Sequence, residues 1–239
     1  MKILEEMLIS LAPSIWFCLQ STNAYSETVA VKVLRANSRQ GEQEFLTEVL
    51  LLGRLHHKNL VALVGYAAER GRHMLFYIYM SNGSLASHLY GKDYEPLSWD
   101  LRLSIALDVA RGLMEYVKLA AMESEGKIGW EGVLLFELIT GRNPQQGLME
   151  YVKLAAMESE GKIGWEEIVD PQLIENYDVN KLNDTASLAF KCVSGVSKTR
   201  PSMRTVVQAL SKLYKKPKRN HSQASSTAQP IIIGVCRCS

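Results

Sequence analysis

The chain has 239 residues, 47% of them hydrophobic and 22% charged, with a formal net charge of +2. That suits one domain or two small lobes with an ordinary core, and it excludes a chain too polar to bury one. The small net charge hides an asymmetry: from Thr185 onward there are ten Lys or Arg and no Asp or Glu, so the first 184 residues hold 17 basic against 25 acidic residues, a net of −8. An acidic body with a basic tail suits a tail that meets anionic lipid, nucleic acid or an acidic partner.

Met7 to Leu19 is apolar, but its thirteen residues include Pro13 and fall short of the roughly 20 that span a bilayer. Glu5 and Glu6 spoil it as a signal peptide, so residues 1–28 read as a poorly ordered leader. Cys18, Cys192, Cys236 and Cys238 form no zinc or redox spacing, which fits a reducing compartment.

Val29 to Leu34 is the first clear strand, rich in β-branched residues. Gly41 to Leu55 places Phe45, Val49, Leu52 and Leu55 at helical spacing. Asn59 to Tyr66 and His73 to Tyr79 read as two strands joined by a polar turn at Arg70-Gly71-Arg72. Ser81-Asn82-Gly83 breaks the chain before a short helix through Tyr90. Ser98 opens a long helix with Leu101, Ile105, Val109 and Leu113 on one face. Val133 to Ile139 predicts a buried helix stopped at Gly141. Lys181 to Val193 and Ser202 to Tyr214 predict the last two helices, and 217–239 a basic, disordered tail.

Twenty residues, Gly112 to Glu131 (GLMEYVKLAAMESEGKIGWE), recur unchanged at Gly147 to Glu166. Folded repeats keep a pattern and drift elsewhere, and two copies do not make a solenoid. The identity reads as a recent duplication, or an error of splicing or assembly.

VAVK, followed sixteen residues later by a helical Glu48, resembles the strand-three lysine and helix-C glutamate of protein kinases. More segments follow in order. EFLTEVLLLGRLHHKNLVALVGY, HMLFYIYMSNGSLASHLY and LSWDLRLSIALDVARGL are similar to the stretch from helix C to helix E of plant receptor-like kinases. VLLFELITGRNP, WEEIVDPQL and KTRPSM resemble later segments of the same domain. The likeness runs from Val29 to Tyr214 and is strongest to the calcium/calmodulin-regulated receptor-like kinases.

The resemblance implies an α+β, incomplete two-lobe kinase fold: an N-lobe of about three strands and one helix with its hinge over 29–80, and a mostly helical C-lobe over 81–216. It implies ATP as cofactor. Lys32 would hold the α- and β-phosphates and Glu48 would orient its ammonium. Ala30 would pack on adenine, Tyr77 would be the gatekeeper, and Ile78 and Met80 would offer hinge backbone groups. Against this stands a purely architectural reading, in which Lys32 and Glu48 form an ion pair and Ala30 and Tyr77 are core.

The chain departs from the family where the chemistry lies. No glycine precedes Gly41, so Lys32 has no glycine-rich phosphate loop before it. HRD, DFG and APE are all absent, and with them the catalytic Asp and the Asn and Asp that hold magnesium. Arg111-Gly112-Leu113 runs straight into the first repeat copy, which stands where those loops belong. Arg200 resembles the C-lobe Arg that pairs with the Glu of APE, so it is expected exposed or paired elsewhere. Asp100 and Asp108 read as solvated helix residues. These features predict a degenerate serine/threonine kinase without activity. The expected partners are intact receptor-like kinases and, through the basic amphipathic segment Met203 to Arg219, calmodulin or an anionic membrane surface; no nucleic acid is expected. The implied location is the cytoplasm or the cytoplasmic face of the plasma membrane.

Overall fold

The computed structural model describes residues 15–20, 28–35, 39–69, 72–119, 129–158, 165–173 and 176–214. The chain divides into two units, one holding residues 1–85, 112–124 and 232–239, the other 86–111 and 125–231.

The first unit is built on an antiparallel sheet in the order β1-β2-β4-β3, formed by β1 (Ile15–Gln20), β2 (Thr28–Arg35), β3 (Leu63–Glu69) and β4 (Arg72–Ile78). In β2, Ala30, Lys32 and Leu34 recur at the two-residue period of a strand and are all buried. Their direct partners on β4 include Tyr77, opposite Ala30, and Leu75, opposite Lys32, both fully buried. Helix α1 (Arg39–Leu52) supplies Phe45, which stacks on His73 with ring centroids 4.4 Å apart and meets Tyr66 edge-on at 6.0 Å. A register shift between Leu63 and Gly65 interrupts the regular pairing of β3, which lies at the sheet edge.

Against an expected leader over 1–28 and about three strands in the N-lobe, the sheet has four strands among the described residues. The extra strand, β1, pairs with β2 in register from Ile15↔Val33 to Gln20↔Thr28. Six residues beside a strand-breaking Pro13 carry too little pattern to announce a strand, and pairing with β2 makes it one. The rest of the leader, residues 1–14 and 21–27, lies outside the described residues, as do the Arg70-Gly71 turn and the tail from residue 215, including Cys236, Cys238 and the end of Met203–Arg219.

The second unit is helical: α2 (Leu85–Tyr90), the start of α3 (Trp99–Leu119), α4 (Trp130–Thr140), α5 (Leu148–Glu158), α6 (Val179–Cys192) and α7 (Met203–Leu213). Helix α4 is mostly apolar, and Leu134 to Ile139, Glu137 included, are all buried; such a helix belongs in the middle of a core. It stops at Gly141, whose N–H closes on the Glu137 carbonyl and whose left-handed φ of 62° turns the chain out of the helix. Phe136, Trp165 and Phe190 form an aromatic chain across this core, with centroids 5.6 and 5.8 Å apart. Helix α6 begins at Asp178, whose carboxylate accepts from the N–H groups of Asn180 and Lys181, and α7 begins at Ser202, which accepts from Thr205 N.

The polar anchor of this unit is Arg102. Its guanidinium is buried and each of its nitrogens donates: Nε to Leu97 O at 2.9 Å, Nη1 to Leu138 O at 2.9 Å and Nη2 to Asp170 Oδ2 at 2.7 Å. Asp170 Oδ1 accepts from Gln172 N at 2.9 Å, so neither charge is left without partners.

The two identical segments fold partly alike. Residues Leu113 and Val117 of the first copy and Leu148 and Val152 of the second are buried, because both copies present the same i, i+4 face. The first copy lengthens α3 and the second starts α5; residues 120–128 and 159–164 lie outside the described residues. Their ends differ. Glu166 is exposed and accepts a hydrogen bond from Asn183 Nδ2 at 3.3 Å. Its twin Glu131 is buried in the first turn of α4 with no hydrogen-bond partner for either carboxylate oxygen.

Candidate functional site

Five of the six residues singled out for nucleotide binding lie on the strands and helix of the first unit. The sixth, Met80, follows β4. Strand β2 carries Ala30 and Lys32, and β4 carries Tyr77 and Ile78. Helix α1 brings Glu48 over the sheet. Lys32 Nζ donates to Glu48 Oε1 at 2.7 Å, and Tyr77 Oη donates to Glu48 Oε2. The side chain of Lys32 is 0% exposed and that of Glu48 10%. Ala30 and Tyr77 face each other across β2 and β4 and are both buried. Ile78 is half exposed; its N–H points to Ala62 O at 3.4 Å, while Tyr79 N donates to Thr28 O at 3.3 Å. Met80 is partly exposed.

One residue of this cluster was missed by sequence reasoning. Glu44 Oε1 also stands 2.7 Å from Lys32 Nζ, as an ion pair without hydrogen-bond alignment. The signal was its place four residues before Glu48, which puts both carboxylates on one face of α1. Lys32 thus lies between two carboxylates inside the protein. The residues present do not fit the phosphates of ATP: the lysine that would hold them shows no accessible surface and is already neutralised. For magnesium, no group of three or more His, Cys, Asp or Glu among the described residues is arranged to hold a metal ion.

In the second unit Asp100 is an exposed side chain 3.9 Å from Lys181, and Asp108 pairs with Arg111 at 3.4 Å. Neither is drawn into a buried site. Arg200 is half-buried and donates from Nε to Ser194 O at 2.8 Å. Burial pushes the Glu131 carboxyl up to about 8. Burial, and secondly the Glu131 carboxylate, push the thiol of buried Cys192 up to about 12, against the pull of Arg200. A thiol held neutral in this way is no nucleophile.

A sheet of this topology under one helix, with a buried strand lysine paired to a helix glutamate, is kinase N-lobe architecture, and the family comparison agrees. A sequence profile of the protein tyrosine and serine/threonine kinase family matches residues 14–122, so it takes in β1. The chain belongs to the protein kinase family.

It is 47% identical to calcium/calmodulin-regulated receptor-like kinase 1 of Arabidopsis thaliana, covering 79% of this chain and 56% of that protein. It is 34% identical to calcium/calmodulin-regulated receptor-like kinase 2 of the same plant, covering 82% and 58%. The chain thus spans under two thirds of the length of these relatives. The first alignment runs over 246 positions, more than the whole chain has, so the relative carries residues in that interval that this chain lacks. In fold the chain is similar to the apo form of a pseudokinase (TM-score 0.69, 20% identity, covering 85% of this chain and 86% of the other). It is also similar to the pseudokinase named drought responsive inactive kinase 1 (TM-score 0.68, 22% identity, covering 85% and 89%). Among the described residues, no helix is long and apolar enough to cross a membrane.

Proposed function

We propose that this chain is a receptor-like serine/threonine kinase relative that no longer transfers phosphate and works by binding other proteins, intact receptor-like kinases first among them, at the cytoplasmic face of the plasma membrane. The observation that carries this reading is the passage from α3 to α4. Only residues 120–129 separate the two helices, and none of them is His, Asp or Asn. The general base and both magnesium ligands of the family belong in that interval. Phosphoryl transfer depends almost wholly on positioning and charge neutralisation. Removing a single preorganised group commonly lowers the rate by about 10²–10³, and here several are missing together. The test is phosphate incorporation from magnesium ATP into a generic protein substrate by the full chain. It is expected to match a Lys32→Ala control, and incorporation above that control overturns the reading.

A second reading is supported by α7 and the sequence after it. Met203, Val206 and Leu210 form one apolar face, with Lys212, Lys215, Lys216, Lys218 and Arg219 following, a pattern suited to calmodulin or anionic lipid. The names of the two Arabidopsis relatives point the same way. That apolar face is buried, so binding by this segment requires α7 to leave its seat. The reading expects calcium-dependent retention of the full chain on calmodulin with loss of its near-ultraviolet tertiary signal. No retention, or retention with that signal intact, removes it.

A further inference from the structure

The ammonium of Lys32 has one counter-ion too many for a phosphate site. Glu48 alone makes a neutral pair. Glu44 adds a second carboxylate at the same 2.7 Å, so one positive charge faces two negative ones. Tyr77 donates to the far oxygen of Glu48, which holds that carboxylate against the lysine. All four groups are secluded: Lys32 and Tyr77 have no exposed side-chain surface, and the side chains of Glu44 and Glu48 are only 15% and 10% exposed. Charges at this depth are poorly screened by salt or water. An incoming polyphosphate would have to displace a carboxylate from Lys32 and would meet a cluster of its own sign.

We propose that Glu44 is a built-in counter-ion that occupies Lys32 and closes this corner of the first unit to nucleoside di- and triphosphates. The proposal rests on the reading of Lys32 as the phosphate-facing lysine. It concerns ligand binding, so its failure is separable from that of the phosphate-transfer assay.

The experiment is calorimetric titration of the full chain with ADP, without metal. The unaltered chain is expected to give no binding heat at millimolar ADP. Glu44→Gln removes the surplus charge and is expected to tighten ADP binding by about tenfold or more. The double variant Lys32→Ala/Glu44→Gln is expected to lose that gain. Equal binding by the unaltered chain and Glu44→Gln, no gain in a folded Glu44→Gln, or a gain that survives loss of Lys32 overturns the proposal. If Glu44→Gln does not fold, acetic anhydride labelling of the unaltered chain decides. Lys32 is expected to stay unreactive while exposed Lys58 and Lys92 label, with or without ADP. A Lys32 that labels as readily as Lys58 and is protected by ADP overturns it.

Discussion

Glu131 offers a test with its own internal control. It is 1% exposed, both its carboxylate oxygens lack partners, and burial raises it from 4.5 to about 8. The folded pKa lies above the unfolded one. The native state therefore holds a proton that the unfolded chain releases, and stability is lost as pH rises from about 4.5 towards 8. Linkage at 1.36 kcal/mol per unit makes the loss about 1 kcal/mol at pH 5 and roughly 3 kcal/mol at pH 7. Glu131→Gln abolishes this titration while keeping the size of the side chain. The stability gap between Glu131→Gln and the unaltered chain is therefore expected to widen by about 2 kcal/mol between those two pH values. Glu166→Gln is the control: the same residue at the end of the same twenty-residue segment, but exposed, and expected to stay within about 0.5 kcal/mol throughout. Urea unfolding followed by far-ultraviolet circular dichroism at each pH measures all three. Parallel pH profiles for the unaltered chain and Glu131→Gln would show that Glu131 is solvated or paired, and would refute the argument.

Two further outcomes follow from the helical unit. Asp170→Ala leaves the buried Arg102 guanidinium without its carboxylate and is expected to destabilise by about 3–5 kcal/mol in the same denaturation assay; a loss under 1 kcal/mol would mean that the two backbone carbonyls suffice. Gly141→Ala forces a side chain into a left-handed φ of 62°, with its Cβ driven against the Asp170 carboxylate. The backbone term alone is expected to lower stability by about 1–2 kcal/mol, and the midpoint of thermal unfolding checks it.

Much of the site could be read from the residues themselves. The β-branched run around Lys32 announces a strand, and the spacing of Phe45, Val49 and Leu52 announces a helix; pairing Lys32 with Glu48 needed the family likeness as well. What could not be read is which carboxylates the lysine meets. Glu44 and Glu48 share one face of α1, and only the packing of that helix on the sheet decides that both reach the same nitrogen. Strand β1 was hidden for a similar reason: six residues next to a proline become a strand through hydrogen bonds to β2, and their own pattern does not require it.

The duplicated segment marks the division most sharply. Sequence by itself determined only that both copies favour helix, a local preference; one continues α3 and the other starts α5. Tertiary structure decided everything else about them. Gly112 lies inside α3, where a Cβ would come within 2.8 Å of the Leu60 side chain, whereas Gly147 adopts a left-handed φ of 77° before α5. One terminal glutamate is buried without a partner and the other meets solvent and Asn183. Identical residues carry identical propensities; burial, charge state and backbone handedness come from what the rest of the chain packs around them.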